Sequence, residues 1–174
     1  MPHLEYTRLI DAPQPAIWDV ITDHELYGDV APNLTSVEVV DGAEETMVRR
    51  CVDTGGYAWT EACTTWEDGQ RFGVEVDVAN SEFHRHLFNH MEGTWGLEAT
   101  PDGYEVFIRF DYDTKYGPFG RLISAYLSYK APAIVGAIFD SWEAEIDARR
   151  EPIQSDQQRR QPSHRGSQPN ARYP

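Results

Sequence analysis

Arg49 and Glu61 are the side chains in this sequence that are best spaced to act together chemically. They lie six residues before and six residues after Gly55, in two β-rich runs joined by a glycine turn. If that turn is a tight hairpin, residues whose numbers add to about 110 face each other, so Arg49 pairs with Glu61 and Cys51 pairs with Trp59. Because side chains alternate along a strand, all four then share one face of the sheet.

Three roles remain open for the Arg49–Glu61 pair. It is a partly hydrated structural ion pair near the open edge of the sheet, or a polar anchor that orients a carbonyl, carboxylate or hydroxyl group in an apolar cavity. In the third role Glu61 is a general acid or base, helped by Tyr57 or Tyr112. A base needs a raised pKa, whereas a neighbouring arginine lowers the pKa of a carboxyl group, which disfavours this role. The catalytic residues therefore stay undetermined, with Glu61, Arg49 and Tyr112 as candidates.

The turns at Asp68-Gly69 and Asp102-Gly103 extend the same face to four more strands. A one-residue slip would turn several charged side chains inward, which constrains the register. The second of these turns predicts that Gly93, Trp95 and Leu97 pair with Tyr112, Phe110 and Ile108. The predicted ligand-binding residues on this face are Arg49, Cys51, Trp59, Glu61, Phe72, Val74, Met91, Trp95, Phe110 and Tyr112. The aromatic residues among them either fill a core or form the wall of a cavity.

Histidine and cysteine residues do not indicate a metal site. His84, His86 and His90 fall in a polar connection, and no cysteine lies near them to complete a tetrahedral set, so a solvated or cavity-rim loop is favoured. Cys51 and Cys63 are about four residues out of register on neighbouring strands, too far apart for a disulfide. We expect free thiols, no metal and no cofactor.

The elements that must position these residues follow from the periodicity of the chain. Paired β-rich runs separated by glycine turns predict an antiparallel meander after a first strand and a short helix. The strands are expected over residues 4–11, 35–40, 46–53, 57–66, 71–78, 91–99 and 105–114, and the short helix over 14–23. Apolar residues then recur at spacings of three and four, which predicts one amphipathic helix from Phe119 to about Arg149, kinked at Pro132. Its apolar face comprises Phe119, Leu122, Ile123, Tyr126, Leu127, Ala133, Ile134, Ala137, Ile138, Trp142 and Ile146.

Seven groups of residues along the chain form a recognisable set: Ile10-Asp11-Ala12-Pro13 with Ile17-Trp18, Ala31-Pro32, Val37-Glu38-Val39, Arg50-Cys51-Val52-Asp53, Trp59-Thr60-Glu61, Trp66 to Phe72, and Gly117-Pro118-Phe119-Gly120. Together they resemble the START-like polyketide cyclase/dehydrase superfamily, often called SRPBCC. The resemblance covers residues 4 to 149. It implies an α+β helix-grip fold, in which a curved antiparallel β-sheet wraps around a long C-terminal α-helix. It does not choose between lipid carriers, hormone-binding proteins, aromatase/cyclases and coenzyme Q-binding proteins.

The remaining composition divides the chain into two parts. Residues 1 to 150 are expected to form one ligand-binding domain, and residues 151 to 174, rich in Gln, Arg, Ser and Pro, a disordered basic tail. Four arginines in the tail outnumber its two acidic residues, so the domain is more acidic than the whole chain's −14. Such a charge disfavours nucleic acid and anionic membranes as partners. No signal peptide and no run of about 20 apolar residues is expected, which predicts a cytoplasmic protein without membrane insertion.

Two functions are consistent with this sequence, and a third is supported by amino-acid composition alone. The first is a module that binds a small hydrophobic or aromatic molecule between the sheet and the last helix. Its entrance would lie near Tyr27–Leu34, the His84–His90 connection and the Gly117–Phe119 turn. The second is an aromatase/cyclase- or dehydratase-type enzyme for a polyketide-like chain. The third is an adaptor that binds another protein through the tail, and protein partners stay undetermined.

Overall fold

The computed structural model describes residues 2 to 159, with side chains to residue 150. Seven strands and four α-helices follow one another, with short 3-10 turns at Glu44–Thr46 and Gly117–Phe119. The strands are β1 His3–Ile10, β2 Leu34–Asp41, β3 Val48–Asp53, β4 Ala58–Glu67, β5 Arg71–Val76, β6 Phe88–Thr100 and β7 Gly103–Thr114. The helices are α1 Gln14–Ile21, α2 His24–Val30, α3 His84–Leu87 and α4 Gly120–Arg159.

All strands form one antiparallel sheet in the order β1-β7-β6-β5-β4-β3-β2. The turns that the sequence marked contain glycines with positive φ, at Gly42, Gly56, Gly69 and Gly103. Glycine adopts this conformation without steric cost, which explains why the turns could be located from the sequence. Together with α4, the sheet confirms the predicted helix-grip fold.

The β3–β4 register is the predicted one, with Arg49 opposite Glu61 and Cys51 opposite Trp59. The β6–β7 partners were predicted two residues out of place: Trp95 faces Ile108, not Phe110. The turn is centred on Pro101-Asp102, because Thr100 already pairs with Gly103. A shift of two residues preserves the alternation of faces, so the predicted inner face survives the error.

Helix α4 differs from its prediction in two ways. Its backbone continues to Arg159, ten residues beyond the predicted end, while residues 160 to 174 lie outside the described residues, so the disordered tail stays a prediction. Its apolar residues were assigned to one face, but Phe119, Leu122 and Tyr126 are exposed to solvent. This helix carries one buried and one exposed row of apolar residues with similar spacing. Periodicity alone does not distinguish the two rows.

By length and composition, Gly117–Arg150 is apolar enough to cross a bilayer, and 17% of its most apolar 18-residue window is buried. The expectation that no segment is long and apolar enough is therefore wrong, because Arg121 and Lys130 are the only charged residues between positions 117 and 139. The core helix of a soluble protein satisfies the same two criteria. The finding does not by itself place α4 in a membrane.

The second half of α4 is fixed to the rest of the fold. Val135, Ile138, Trp142 and Ile146 are buried in the hydrophobic core, which they share with α1, α2 and the sheet. Arg8 of β1 adds ion pairs to this half of the helix at 3.0 Å and 2.6 Å. Leu127 and Ala131 of the first half of α4 line the cavity of the candidate site, together with Ile134, Val135 and Ile138 of the second half.

Candidate functional site

A cavity of about 170 Å³ lies between the inner face of the sheet, α2 and α4. Its wall is mainly aliphatic and aromatic, with a few polar groups at defined positions. The lining residues are Leu4, Tyr27, Asn33, Leu34, Arg49, Cys51, Trp59, Glu61, Val76, His84, Met91, Trp95, Phe110, Tyr112, Leu127, Ala131, Ile134, Val135 and Ile138. An apolar enclosure with a few polar groups is the usual character of a small-molecule site.

Among the described residues, Arg49 is the only arginine that lines this cavity, and its side chain is 1% exposed. Its Nε donates to Glu61 Oε2 at 2.7 Å, and its Nη1 donates to His24 Nδ1 at 3.1 Å. The guanidinium carbon lies 4.8 Å from the ring centroid of Trp95 and 5.5 Å from that of Tyr27. The two hydrogen bonds use two of the five N–H donors of a guanidinium, so the others remain able to bind a ligand oxygen.

Both carboxylate oxygens of Glu61 are engaged. Oε2 accepts from Arg49, and Oε1 accepts from Trp59 Nε1 at 2.8 Å. Burial alone would raise the pKa of Glu61, but the Arg49 charge and these hydrogen bonds outweigh burial and lower it. A carboxylate with a lowered pKa and no free oxygen is a poor general base, as the sequence indicated. The pair is also buried on interior strands, which contradicts a partly hydrated position near the sheet edge.

His24 supports Arg49 from outside the cavity lining. It is the first residue of α2, whose N-terminus is capped by the Asp23 side chain accepting from the Leu26 N–H at 3.0 Å. Burial and the Arg49 charge lower the pKa of His24 to about 4. The ring is therefore neutral at pH 7, and because Arg49 donates to Nδ1, the ring proton is on Nε2.

Trp95 contributes its indole ring to the cavity wall. Its Nε1 is buried within the protein without a close hydrogen-bond partner among the described residues, and the Tyr27 ring lies beside it at 5.6 Å between centroids. The indole ring stacks on Phe72 with 5.2 Å between centroids and nearly parallel planes, which fixes its orientation. The donor in the cavity that can bind a ligand oxygen is therefore Arg49, whose Nη2 makes no hydrogen bond among the described residues.

His84 adds a second neutral imidazole, and this one lines the cavity. Its Nδ1 lies 2.8 Å from Ser81 Oγ, which also accepts from the His84 backbone N–H at 3.2 Å. The ring is edge-on to Trp59, with 4.8 Å between centroids. Burial lowers the pKa of His84 against the opposing effect of the Glu61 charge, so the ring is neutral at pH 7.

The model of the family described as "Polyketide cyclase / dehydrase and lipid transport" matches residues 1–139. The chain belongs to this family. A Streptomyces cyaneus protein provisionally named a polyketide cyclase is 25% identical over 116 residues, which cover 65% of this chain and 74% of that protein. The resemblance noted in the sequence is thereby confirmed, and it supports a polyketide-related binding or cyclase role.

Solved structures agree on the fold. The ZhuI aromatase/cyclase from Streptomyces sp. R1128 is 19% identical, with a TM-score of 0.66 over 85% of this chain and 94% of that one. A START superfamily protein from Mycobacterium smegmatis is 12% identical, with a TM-score of 0.62 over 84% and 97% of the two chains. At these identities the likeness concerns the fold alone.

Most of the predicted site residues of this family member meet at the cavity. Arg49, Cys51, Trp59, Glu61, Met91, Trp95, Phe110 and Tyr112 line it. Phe72 and Val74 do not, since Phe72 lies behind Trp95 and Val74 is buried elsewhere on the same face. Cys51 and Cys63 are free thiols, as expected, and burial raises the pKa of Cys51.

Sequence patterns did not identify the polar cavity residues that lie on helices and connections. Tyr27 and His84 were placed in two segments expected at the entrance, and both line the cavity, whereas the Gly117–Phe119 turn does not. The histidines diverge, because His86 contacts Arg85 at the surface and His90 contacts Glu75 on the outer face. Among the described residues no three His, Cys, Asp or Glu side chains are arranged to hold a metal ion. The sequence signal that could have indicated the Ser81–His84 contact is the three-residue spacing between them.

Proposed function

We propose that this protein binds a small apolar or aromatic molecule that carries a hydrogen-bond-accepting oxygen. The observation that carries the proposal is the Arg49 guanidinium in an otherwise apolar cavity, with N–H donors beyond those that bind Glu61 and His24. A guanidinium group only donates, so it favours a carbonyl, a carboxylate or an ether oxygen over an amine. Family membership supports a ligand of the polyketide or lipid class.

The cavity volume limits the ligand in this conformation. About 170 Å³ is close to the ~150 Å³ of an engineered cavity that holds one benzene ring. A ligand of one ring therefore fits the cavity as it stands. A longer polyketide-like chain needs the first half of α4 to move outward, because Leu127 and Ala131 form the wall on that side.

Native mass spectrometry and calorimetric titration with ring compounds test the proposal. We expect an aryl ketone to bind and its hydrocarbon analogue, which lacks the oxygen, to bind at least fivefold more weakly. Arg49→Met/Glu61→Leu, which removes both buried charges, should remove this preference. Arg71→Met/Glu67→Leu is the matched control, because this arginine–glutamate pair lies outside the cavity. Equal affinity for ketone and hydrocarbon, or equal effects of the two substitutions, would reject the proposed contact.

Enzymatic cyclisation or dehydration is the second candidate, and His84 is the observation that favours it. Its neutral imidazole lines the cavity, and no hydrogen-bond partner for Nε2 is found among residues 2 to 150. A neutral imidazole can take a proton from a methylene between two carbonyls, and Arg49 can stabilise the enolate oxygen that forms. Glu61 is then a positioning residue for Arg49.

A short 1,3,5-triketone provides the test of this candidate. If the protein is such an enzyme, it accelerates closure to a 4-pyranone, in which the enolate oxygen attacks the remote carbonyl and that carbonyl oxygen leaves as water. His84→Asn then lowers the rate by about 100-fold or more with little change in binding. Glu61→Gln should lower the rate mainly through weaker binding. Binding of the triketone without acceleration would reject the enzymatic function and leave the binding function in place.

A further inference from the structure

Five large apolar side chains at the start of α4 are exposed. They are Tyr116, Phe119, Leu122, Tyr126 and Tyr129, called here the exposed stripe, and each is between 60% and 77% exposed. The last four recur at spacings of three, four and three residues, so they project from one face of the helix. A single exposed apolar residue is ordinary, but a contiguous group of this size marks an interaction surface.

The charge around the exposed stripe is opposite to that of the whole protein. Residues 114 to 139 contain Lys115, Arg121 and Lys130 and no aspartate or glutamate. The chain as a whole has a formal charge of −14. The segment that carries the stripe is therefore basic and aromatic on an acidic molecule, and Asp111 and Asp113 of β7 directly precede it. Screening limits the repulsion between the other acidic residues and an anionic membrane to about 8–10 Å.

We propose that the exposed stripe docks this protein on the surface of an anionic lipid bilayer. Tyrosine and phenylalanine rings favour the boundary between headgroups and acyl chains, and the neighbouring lysines and arginine attract anionic headgroups. A second copy of this chain fits less well, since a two-fold contact would bring these cations together with no carboxylate in residues 114 to 139 to neutralise them.

The reverse side of the same helical segment is the wall of the cavity. Leu127 and Ala131 line the cavity, while Tyr126 and Tyr129 face solvent. A helix docked through the stripe therefore separates the bilayer from the cavity by its own thickness. Docking does not depend on the proposed ligand, but it gives an apolar ligand a short route between membrane and cavity.

Flotation of the full chain with lipid vesicles tests the docking. We expect binding to phosphatidylcholine vesicles with about 30% phosphatidylserine to be at least tenfold stronger than to phosphatidylcholine alone, and to weaken with salt. Leu122→Ser/Tyr126→Ser should reduce that binding at least tenfold, and Arg121→Glu/Lys130→Glu should abolish the preference for anionic lipid. Leu9→Ser/Val40→Ser is the control, since both residues are exposed apolar strand residues outside the stripe. The basic tail is the same in every variant.

Three outcomes would overturn the proposal. The first is equal binding to the two kinds of vesicle, or equal losses for the stripe variant and the control. The second is a dimer, measured by light scattering, that Leu122→Ser/Tyr126→Ser dissociates while vesicles are not bound. The third is binding of the stripe to an acidic protein without binding to either kind of vesicle. Calorimetry with the aryl ketone in the absence of lipid separates this proposal from ligand binding, which the stripe variants should retain.

Discussion

At the scale of single residues, the Arg49–Glu61 pair affects both the stability of the fold and the proposed binding of a ligand. The pair is buried, and removing one partner of a buried ion pair leaves a charge without compensation. We expect Arg49→Met to lower the free energy of unfolding by about 3–5 kcal/mol, while Arg49→Met/Glu61→Leu recovers most of that loss because neither charge remains. Urea unfolding measures both values. If the double variant is as unstable as the single one, the pair is not the source of the loss.

His24 makes the stability of the fold depend on pH. Its pKa in the folded state is about 4, below the unfolded value of about 6.5, so protonation favours the unfolded chain. The contribution is fully present above pH 6.5 and is lost as the pH falls towards 4, by a total of about 3 kcal/mol. His24→Asn keeps an acceptor for Arg49 but does not titrate. Chemical unfolding at pH 7 and pH 5 should show a smaller difference for this variant, and an equal difference would contradict the role of His24.

Part of this site was predictable because it lies on strands. A glycine turn and the alternation of faces were enough to place Arg49 opposite Glu61 and to put Trp95 on the same face. Tyr27 and His84 lie on α2 and α3, and their approach to the cavity depends on how these helices pack, which strand alternation does not encode. The unpaired state of the Trp95 indole depends on the same packing.

At the scale of elements, α4 has two halves with different environments. Ion pairs from Arg8 and Arg149 and a buried apolar face hold the half after Pro132. The half before it carries the exposed stripe, and Pro132 removes one backbone hydrogen bond between the halves. The sequence predicted the helix but not this division, because similar spacings describe an inward and an outward stripe.

Hydrogen exchange measured by mass spectrometry should resolve the two halves. We expect amides of residues 121–131 to exchange at least tenfold faster than those of residues 135–148, since local opening requires little buried surface to be exposed there. A bound ligand should slow exchange most in the first half, through Leu127 and Ala131, and leave residues 142–148, which do not line the cavity, unchanged. Uniform protection along the helix, with or without ligand, would show that the first half is not a separately opening segment.

At the scale of the whole molecule, the net charge sets how stability responds to salt. With 29 acidic and 15 basic residues, the folded protein is subject to self-repulsion that salt screens. The ion pairs of Arg8, Arg109 and Arg149 are partly exposed, and salt weakens such pairs by only a small amount. Relief of repulsion therefore outweighs the weakening of these pairs.

We accordingly expect the thermal midpoint at pH 7 to rise by about 2–4 °C between about 0.05 M and about 1 M NaCl, which corresponds to roughly 1 kcal/mol for a chain of this length. The same titration near pH 4.7, the isoelectric point, is the internal control, because the net charge is then close to zero and there is no net repulsion to screen. The rise should disappear there even though protonation of His24 lowers the midpoint itself. An equal rise at both pH values would assign the effect to salting-out of apolar surface, and the exposed stripe would then be its first candidate.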